Sequence, residues 1–280
     1  MAIASQEATA HDVQAGGINI HYNDVGAGYP VIMIHGAGPG ASSWSNFQQN
    51  VDAFGSQFRC LLVDMPQYGG SEKLVIEGGR LTYCSGVFRD FMDKLEIPSA
   101  HFIGNSMGGQ VAIKLAIDSP ERVSKLVVIG SAPVTHSLFC PQPLEGIKLI
   151  GSYYKGDGPS REKMRTLIQT LLWDSSFLTD EILEERYQAS IDPDVVRVMS
   201  SQPSGKEDLT GQLHKVACPA LVLWGIDDRF GALDIGLLMA RTFQNARMHI
   251  FPKFGHWAQV EHAGEFNRLV IDFLSYADGE

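Results

Sequence analysis

The chain has few cysteines, few positive charges and no long apolar run, and each shortage argues against a class of protein. Its four cysteines among 280 residues stand far apart with no Cys-x-x-Cys pair, so neither a zinc site nor a disulfide framework is expected. A formal net charge of −10 and the lack of any Lys/Arg block argue against a nucleic-acid partner. No uncharged run approaches the length of a membrane span, and Met1–Gln14 lacks the basic and apolar regions of a secretory signal. We therefore expect a cytoplasmic protein without a membrane partner.

The composition allows a large buried core. Hydrophobic residues make up 44% of the chain and charged residues 19%. A length of 280 residues is normal for one α/β domain with an insertion, and two domains are possible. Cys60 lies in an apolar run, and we interpret it and Cys84 as small buried hydrophobic residues.

Apolar runs typical of buried strands alternate with helical patterns along most of the chain. The predicted strands are Gly17–Tyr22, Val31–Ile34, Cys60–Asp64, Ala100–Ile103, Leu126–Gly130, Ala220–Gly225 and Met248–Phe251. Helical spacing predicts helices near Trp44–Phe54, Leu81–Leu95, Gln110–Ile117, Leu233–Phe243 and Gly264–Tyr276. The first dozen residues are polar and rich in alanine, and we expect a loose lead-in there. This alternation predicts an α/β fold with a mostly parallel central sheet flanked by helices, whose strand ends form a crevice.

The alternation of predicted strands and helices stops between residues 134 and 214. The segments with helical spacing there are Leu144–Tyr154, Arg161–Trp173, Asp180–Ala189 and Asp194–Met199, and no buried-strand run occurs. We predict a core domain made of residues 1–133 and 215–280, with residues 134–214 as a helical lid inserted over the crevice.

A Gly-x-Ser-x-Gly pattern at Gly104–Gly108 joins a predicted strand to a predicted helix. Two glycines beside a serine suit a tight, strained turn that lifts the hydroxyl of Ser106 clear of the sheet, next to the N–H groups that begin the helix. The pattern is short, and a glycine-rich turn with an incidental serine would look the same. Its meaning depends on whether a base and an acid follow.

Both follow, and each comes directly after a strand. A serine nucleophile needs a base within hydrogen-bond reach, and the base needs an acid to orient it. His256 lies in the loop after the last strand, and Asp227 and Asp228 follow the strand before it. We prefer Asp228 to Asp227 because Gly225–Asp228 resembles the Gly-x-x-Asp pattern that is usual in α/β-hydrolases. A solvated turn aspartate paired with Arg229 is an alternative interpretation of Asp228. The predicted catalytic residues are Ser106, Asp228 and His256.

Backbone N–H groups are the expected donors to an oxyanion. The residue after the nucleophile supplies one, which is Met107 here, and the glycine-rich loop after Val31–Ile34 supplies the other, for which we choose Ala37. That loop could equally be a tight connection that needs several positive φ angles. We expect His35, at its start, to anchor the loop by hydrogen bonds.

These stretches resemble the α/β-hydrolase superfamily over nearly the whole chain. Within it they are most similar to the meta-cleavage-product hydrolases, which cleave a carbon–carbon bond in 2-hydroxy-6-oxohexa-2,4-dienoate-type ring-fission products. The stretches that carry the resemblance are His35–Ala41, Trp44–Asn46, Gly104–Gly109, Trp224–Phe230, Gly255–His262 and Glu265–Arg268. Two departures are Ala37, which interrupts the glycine run, and Gly231-Ala232, where a proline is often found.

The resemblance implies further site residues and a mechanism. Asn46 and Asn105 would help to hold the dienoate, Arg186 would pair with its carboxylate, and Trp257, Gly36 and Gly38 would line the same pocket. Arg186 could instead be an exposed helix arginine, although no acid stands three or four residues away, and Asn46 could be a surface residue. His256 would assist a proton shift, and Ser106 or a water would attack the 6-keto carbon, without a metal or organic cofactor.

Several properties are left open by the sequence. A carboxylesterase or lactonase would use the same catalytic residues, and a non-catalytic ligand receptor could share the fold. The 6-substituent depends on how the lid packs, for which Phe139, Trp173 and Met199 are candidate pocket walls. The family resemblance implies a homodimer or a larger homo-oligomer.

Overall fold

A computed structural model describes residues 5–203 and 207–276 of the chain. Within them, eight strands form one sheet in the order β1-β2-β4-β3-β5-β6-β7-β8. The strands are β1 Ala10–Ala15, β2 Ile18–Gly26, β3 Pro30–Ile34, β4 Arg59–Val63, β5 Ala100–Asn105, β6 Val123–Ile129, β7 Ala220–Gly225 and β8 Ala246–Phe251.

The sheet is parallel from β4 to β8, and only the pairs β1–β2 and β2–β4 are antiparallel. Strands β3, β4, β5, β6 and β7 are buried almost throughout and mostly apolar, as expected of strands covered by helices on both faces. The predicted α/β fold with a mostly parallel central sheet flanked by helices is confirmed. Because parallel strands end at one edge, the loops after β3, β5, β6, β7 and β8 meet there.

The loose lead-in predicted for the first dozen residues is wrong. Ala10–Ala15 is a strand that pairs with β2 in register from Ala10 and Asn23 to Ala15 and Ile18. It is an edge strand with mostly exposed or half-buried residues, so its sequence lacks the apolar alternation that identifies a buried strand.

The helices cover both faces of the sheet and the crevice. They are α1 Gln6–Thr9, α2 Ser43–Phe47, α3 Val51–Gly55, α4 Arg80–Lys94, α5 Met107–Asp118, α6 Glu145–Tyr153, α7 Arg161–Leu171, α8 Asp180–Ser190, α9 Pro193–Ser201, α10 Leu233–Thr242, α11 Ala258–Glu261 and α12 Ala263–Ser275, with 3-10 turns at Pro120–Arg122, Ser175–Phe177 and Thr210–Lys215. One apolar core lies between the sheet and α4, α5 and α10, and a second lies under α2, α3 and α12. Among the described residues, no helix is long and apolar enough to cross a membrane.

A third apolar cluster joins helices α6, α7 and α8 to the loops at the strand ends. Its members include Tyr153, Leu167 and Leu183 from the inserted segment and Phe230 and Trp257 from the loops after β7 and β8. The helices of residues 134–214 therefore pack over the edge where the loops meet. The division of the chain into a core domain and a lid stays a prediction.

The three candidate pocket walls do not line the cavities that reach Ser106. Phe139 is 76% exposed and Trp173 is 49% exposed, whereas Met199 packs partly buried against the large core. Helical spacing alone cannot distinguish a side chain that lines a cavity from one that is exposed or packed in the core. By contrast, Cys60 and Cys84 are fully buried, and burial raises the pKa of each thiol to about 12.

Candidate active site

Ser106 is held in a strained turn between β5 and α5. Its φ of 53° and ψ of −119° lie in a region that residues with a side chain rarely adopt. The neighbouring glycines make the turn sterically possible. A Cβ at Gly104 would lie 2.4 Å from the Cα of Gly109, and one at Gly108 would lie 2.3 Å from the carbonyl oxygen of Ile34. Strain maintained by such close packing is typical of a serine that must present its hydroxyl.

His256 and Asp228 form a buried hydrogen bond. The Nδ1 atom of His256 lies 2.8 Å from Oδ2 of Asp228, and their side chains are 2% and 1% exposed. The backbone N–H groups of Phe230 and Gly231 donate to the other carboxylate oxygen at 2.7 Å and 2.9 Å. Asp228 is thereby held as an acceptor for the imidazole, which leaves Nε2 as the nitrogen that faces the crevice.

Asp227 has different surroundings. It is exposed, and within residues 5–203 and 207–276 only its backbone N–H is hydrogen-bonded, to the carbonyl of Phe254. Arg229 approaches Glu145 at 3.5 Å, so it is not the partner of Asp228. The geometry thus favours Asp228 over Asp227 as the acid beside the histidine.

Ser106 and His256 line the same two cavities, but no hydrogen bond of 3.5 Å or less joins them. The Nε2 atom of His256 is buried and has no partner among the described residues. The ring of Phe230 stacks on the imidazole with centroids 4.8 Å apart, which limits how far the ring can tilt. Such bonds are often long before substrate binds, so the arrangement is compatible with transfer of the serine proton to Nε2.

The loop after β3 is anchored beside Ser106. His35 is fully buried; its Nε2 accepts a hydrogen bond from Met65 N–H at 3.0 Å, and its Nδ1 lies 2.8 Å from the Gly36 carbonyl. A Cβ at Gly36 would lie 3.1 Å from the Cβ of Ser106, so the loop approaches the serine closely. Ala37 lines the same cavity as Ser106, and Met107 is the first residue of α5. Both predicted oxyanion donors therefore border cavities that Ser106 also lines.

Arg186 is a buried cation without a carboxylate partner. It is 6% exposed, makes no ion pair within residues 5–203 and 207–276, and its buried Nε has no hydrogen-bond partner there. Burial lowers its pKa to about 10, which leaves it charged at neutral pH. The alternative of an exposed helix arginine is wrong. Since an uncompensated buried charge is costly, this guanidinium is suited to receive an anion.

Two glycines make room for Arg186 in the crevice. A Cβ at Gly38 would lie 2.5 Å from one guanidinium nitrogen, and a Cβ at Gly40 would lie 2.1 Å from the Arg186 carbonyl oxygen. The ring of Trp257 lies 4.8 Å from the guanidinium carbon, within cation–π range. These contacts hold the side chain against the wall of the cavity.

The two asparagines are both buried, but they are held differently. The Oδ1 of Asn46 accepts a hydrogen bond from Gln259 at 3.2 Å, which leaves its amide N–H groups as donors for a ligand. The Nδ2 of Asn105 donates to the carbonyls of Ile129 and His256 at 3.1 Å and 3.2 Å. Asn105 therefore ties the loop of His256 to β6, and only its unpartnered Oδ1 is available to a ligand.

One small cavity collects the predicted site residues except Met107 and Asp228. It is lined by Gly36, Ala37, Gly38, Asn46, Asn105, Ser106, Arg186, His256 and Trp257, with four apolar residues. A second cavity of about 190 Å³ meets it at Ser106, Phe230 and His256 and also contains Met107. Within the described residues, no group of three His, Cys, Asp or Glu side chains could hold a metal ion.

Sequence reasoning missed residues that position the site from outside it. Glu261 is 5% exposed and accepts hydrogen bonds from the N–H groups of Gly255, Trp173 and Asp174. It thereby joins the His256 loop to the end of the α7 segment. Gly130 has a φ of 54°, and a Cβ there would lie 2.8 Å from Nδ1 of His256. Its place at the end of a predicted strand was the only available signal.

The chain is similar to known hydrolases along nearly its full length. A family model described as alpha/beta hydrolase fold matches residues 29–263. A 2-hydroxy-6-oxononadienedioate/2-hydroxy-6-oxononatrienedioate hydrolase from Paraburkholderia phymatum is 40% identical over 264 residues, which cover 92% of this chain and 91% of the relative. A 2-hydroxy-6-oxo-6-phenylhexa-2,4-dienoate hydrolase from Burkholderia cepacia is 39% identical and covers 97% of this chain and 96% of its own.

A solved structure has the same fold. It is a mutant meta-cleavage product hydrolase from Pseudomonas fluorescens IP01, complexed with acetates, with a TM-score of 0.87 and 31% identity. The match covers 94% of this chain and 97% of that chain.

His35 makes stability depend on pH. Burial lowers its pKa from 6.5 to about 4, so between these values the unfolded chain binds a proton that the folded chain excludes. The contribution of His35 to the free energy of unfolding therefore falls by about 3 kcal/mol as the pH drops through that window. We expect the difference in unfolding free energy between the wild type and His35→Gln to shrink by about that amount. Urea titrations at several pH values measure this.

His136→Gln is the matched control for that titration, since the His136 side chain is 91% exposed. It should follow the wild-type pH dependence. A His35→Gln difference that stays constant across the window would contradict the prediction.

Proposed function

The chain belongs to the α/β-hydrolase fold family and, within it, to the meta-cleavage product hydrolases, and we propose that it hydrolyses the carbon–carbon bond of a 2-hydroxy-6-oxohexa-2,4-dienoate. The names of its relatives support this substrate class. The observation that carries it is the buried, uncompensated guanidinium of Arg186 in the cavity that Ser106 and His256 also line. A substrate that carries a carboxylate at a fixed distance from its reacting carbon would supply the anion that this guanidinium lacks, whereas a simple ester does not need the cation.

In this proposal the substrate carboxylate binds Arg186. The planar guanidinium can donate two parallel hydrogen bonds to it, with the ring of Trp257 against the guanidinium and the amide of Asn46 lining the same cavity. The energetic penalty of burying Arg186 then serves recognition, because the anion supplies the missing partner. Binding at this end directs the 6-keto carbon of the substrate toward Ser106.

The first chemical step moves a proton within the substrate. The 2-hydroxy-2,4-diene loses its hydroxyl proton and gains one at C5, and His256 assists this transfer through Nε2. The product is a 2,6-diketone with a C3–C4 double bond. Its conjugated 2-keto group can accept electrons from C5, which the dienol could not do.

Nucleophilic attack follows at C6. Ser106 gives its proton to Nε2 of His256 while Asp228 stabilises the imidazolium, and the hydroxyl oxygen, or a water in its place, bonds to C6. The N–H groups of Ala37 and Met107 donate to the oxyanion that forms. Both routes give a tetrahedral carbon at the same position.

The bond between C5 and C6 then breaks. Its electron pair passes into the conjugated system and forms a dienolate, which takes a proton to give 2-hydroxypenta-2,4-dienoate. One water is consumed in total, and C6 leaves as a carboxylic acid. In the serine route that water hydrolyses an acyl-enzyme.

We further propose, from the family resemblance, that residues 134–214 act as a lid and that the chain forms a homodimer or larger homo-oligomer in the cytoplasm. The packing of the inserted helices on Phe230 and Trp257 supports the lid assignment. Light scattering on the purified chain would test the oligomer, and a monomer would reject it.

The proposed reaction predicts a strong preference for dienoates over esters. Loss of the yellow dienoate absorbance should be fast with the wild-type chain, and p-nitrophenyl ester hydrolysis should be much slower. Ser106→Ala should lower kcat for the dienoate by about 10³-fold or more. Negligible dienoate turnover beside fast ester hydrolysis would indicate an esterase, and tight binding without turnover would indicate a receptor.

Arg186 should matter only for substrates with a carboxylate. Arg186→Met should lower kcat/KM for the dienoate by about 10- to 100-fold, because a charge-assisted hydrogen-bonded pair is lost. Hydrolysis of p-nitrophenyl acetate, which has no carboxylate, should change little. Removal of a buried charge should not lower the unfolding free energy.

Arg161→Met is the matched control, since Arg161 is a half-exposed arginine paired with Glu184 at 2.7 Å. It should leave both activities unchanged. Equal losses on both substrates with Arg186→Met would show that Arg186 supports the site generally and does not recognise the carboxylate.

A further inference from the structure

The two cavities at Ser106 differ in what they can bind. The first contains Arg186, and the second, of about 190 Å³, does not. If the dienoate carboxylate binds Arg186, the other substituent of C6 must extend away from Arg186. The second cavity meets the first at Ser106 and His256, so it is the space that this substituent enters.

Gln110 borders that space and lies one helical turn after the nucleophile on α5. It lies four residues after Ser106, and its N–H donates to the Ser106 carbonyl at 3.1 Å, which is the first hydrogen bond of α5. Residues at this spacing lie on the same face of a helix, about 6 Å apart. Gln110 is half-buried and lines the second cavity. Gln142 also lines it but is exposed. Neither side-chain amide has a hydrogen-bond partner in residues 5–203 or 207–276.

The charges around this cavity are not balanced equally. Arg80 lines it, donates to the hydroxyl of Tyr68 at 3.0 Å, and has a buried Nε without a partner among the described residues. Glu207 also lines it, but its carboxylate accepts hydrogen bonds from the N–H groups of Leu81 and Thr82 and from the Thr82 hydroxyl. The carboxylate oxygens of Glu207 are therefore already hydrogen-bonded at the start of α4, whereas Nε of Arg80 and the side-chain amide of Gln110 have no partner among the described residues.

From these contacts we propose that the second cavity selects a 6-substituent that ends in a carboxylate, and that Gln110 is the specificity-determining residue. This inference rests on the proposed function. A phenyl group in this cavity would displace water from the half-buried amide of Gln110 without supplying a hydrogen bond, which costs binding energy. A carboxylate supplies acceptors for both amides and a counter-charge for Arg80. Sequence identity does not decide the point, since relatives named for a dienedioate and for a phenyl substrate are 40% and 39% identical to the chain.

The test compares two substrates and two substitutions at one position. The ratio of kcat/KM for 2-hydroxy-6-oxonona-2,4-dienedioate to that for 2-hydroxy-6-oxo-6-phenylhexa-2,4-dienoate should be about 10 or more in the wild type. Gln110→Leu should lower this ratio about 10-fold by removing a donor. Gln110→Glu, of the same shape but negative, should lower kcat/KM for the dienedioate about 100-fold and leave the phenyl substrate within about threefold.

Retained phenyl activity in Gln110→Glu shows that the variant is folded. Gln57→Leu, at an exposed glutamine outside both cavities, should keep the wild-type ratio. A wild type that prefers the phenyl substrate, or a ratio that is equal in all variants, would overturn the inference and leave the proposed function intact. If neither substrate is cleaved, the proposed function itself fails, and this inference fails with it.

Discussion

The rest of the site depends on one buried hydrogen bond, between Nδ1 of His256 and Oδ2 of Asp228. At 2.8 Å, with both side chains almost fully excluded from water, it fixes which nitrogen of the imidazole faces the crevice. The fold holds each partner separately: two N–H groups fix the carboxylate, and Phe230 stacks on the ring. Gly130 leaves the space in which the pair meets. Three loops from neighbouring strand ends thus converge on a single bond, and Ser106 lies against its open side.

A second constraint is the buried charge of Arg186, which favours a substrate with an anionic end. A serine assisted by a histidine and an aspartate could attack many carbonyl carbons, and the fold alone does not determine which substrate is used. The desolvated guanidinium has a pKa lowered to about 10 by burial, but it still carries a charge that no described carboxylate neutralises. In the proposed reaction an anionic substrate end would relieve that penalty, so recognition and stability would be linked. We propose that the cavity on the other side of Ser106 selects the substituent at C6.

Most of the sheet was predictable because its strands are buried on both faces, and such strands are apolar throughout. That Ser106, Asp228 and His256 lie near one edge of the sheet was predictable because each follows a strand and parallel strands end at one edge. The edge strand Ala10–Ala15 was missed because its residues face solvent and show no apolar alternation. The clamp of Glu261 and the backbone contacts of Asn105 were also missed, since they depend on loops that approach only in the folded chain. Exposure of Phe139 and Trp173 likewise follows from tertiary packing, which helical spacing does not contain.

The central claim is that Ser106 and His256 act as one catalytic unit although no hydrogen bond of 3.5 Å or less joins them. A double-mutant cycle on kcat for the dienoate, with Ser106→Ala, His256→Ala and the double variant, measures this most directly. If the two residues act together, the double variant should lose about as much activity as the more damaging single variant. If the two losses multiply, the residues act independently, and a single catalytic unit of serine and histidine is contradicted.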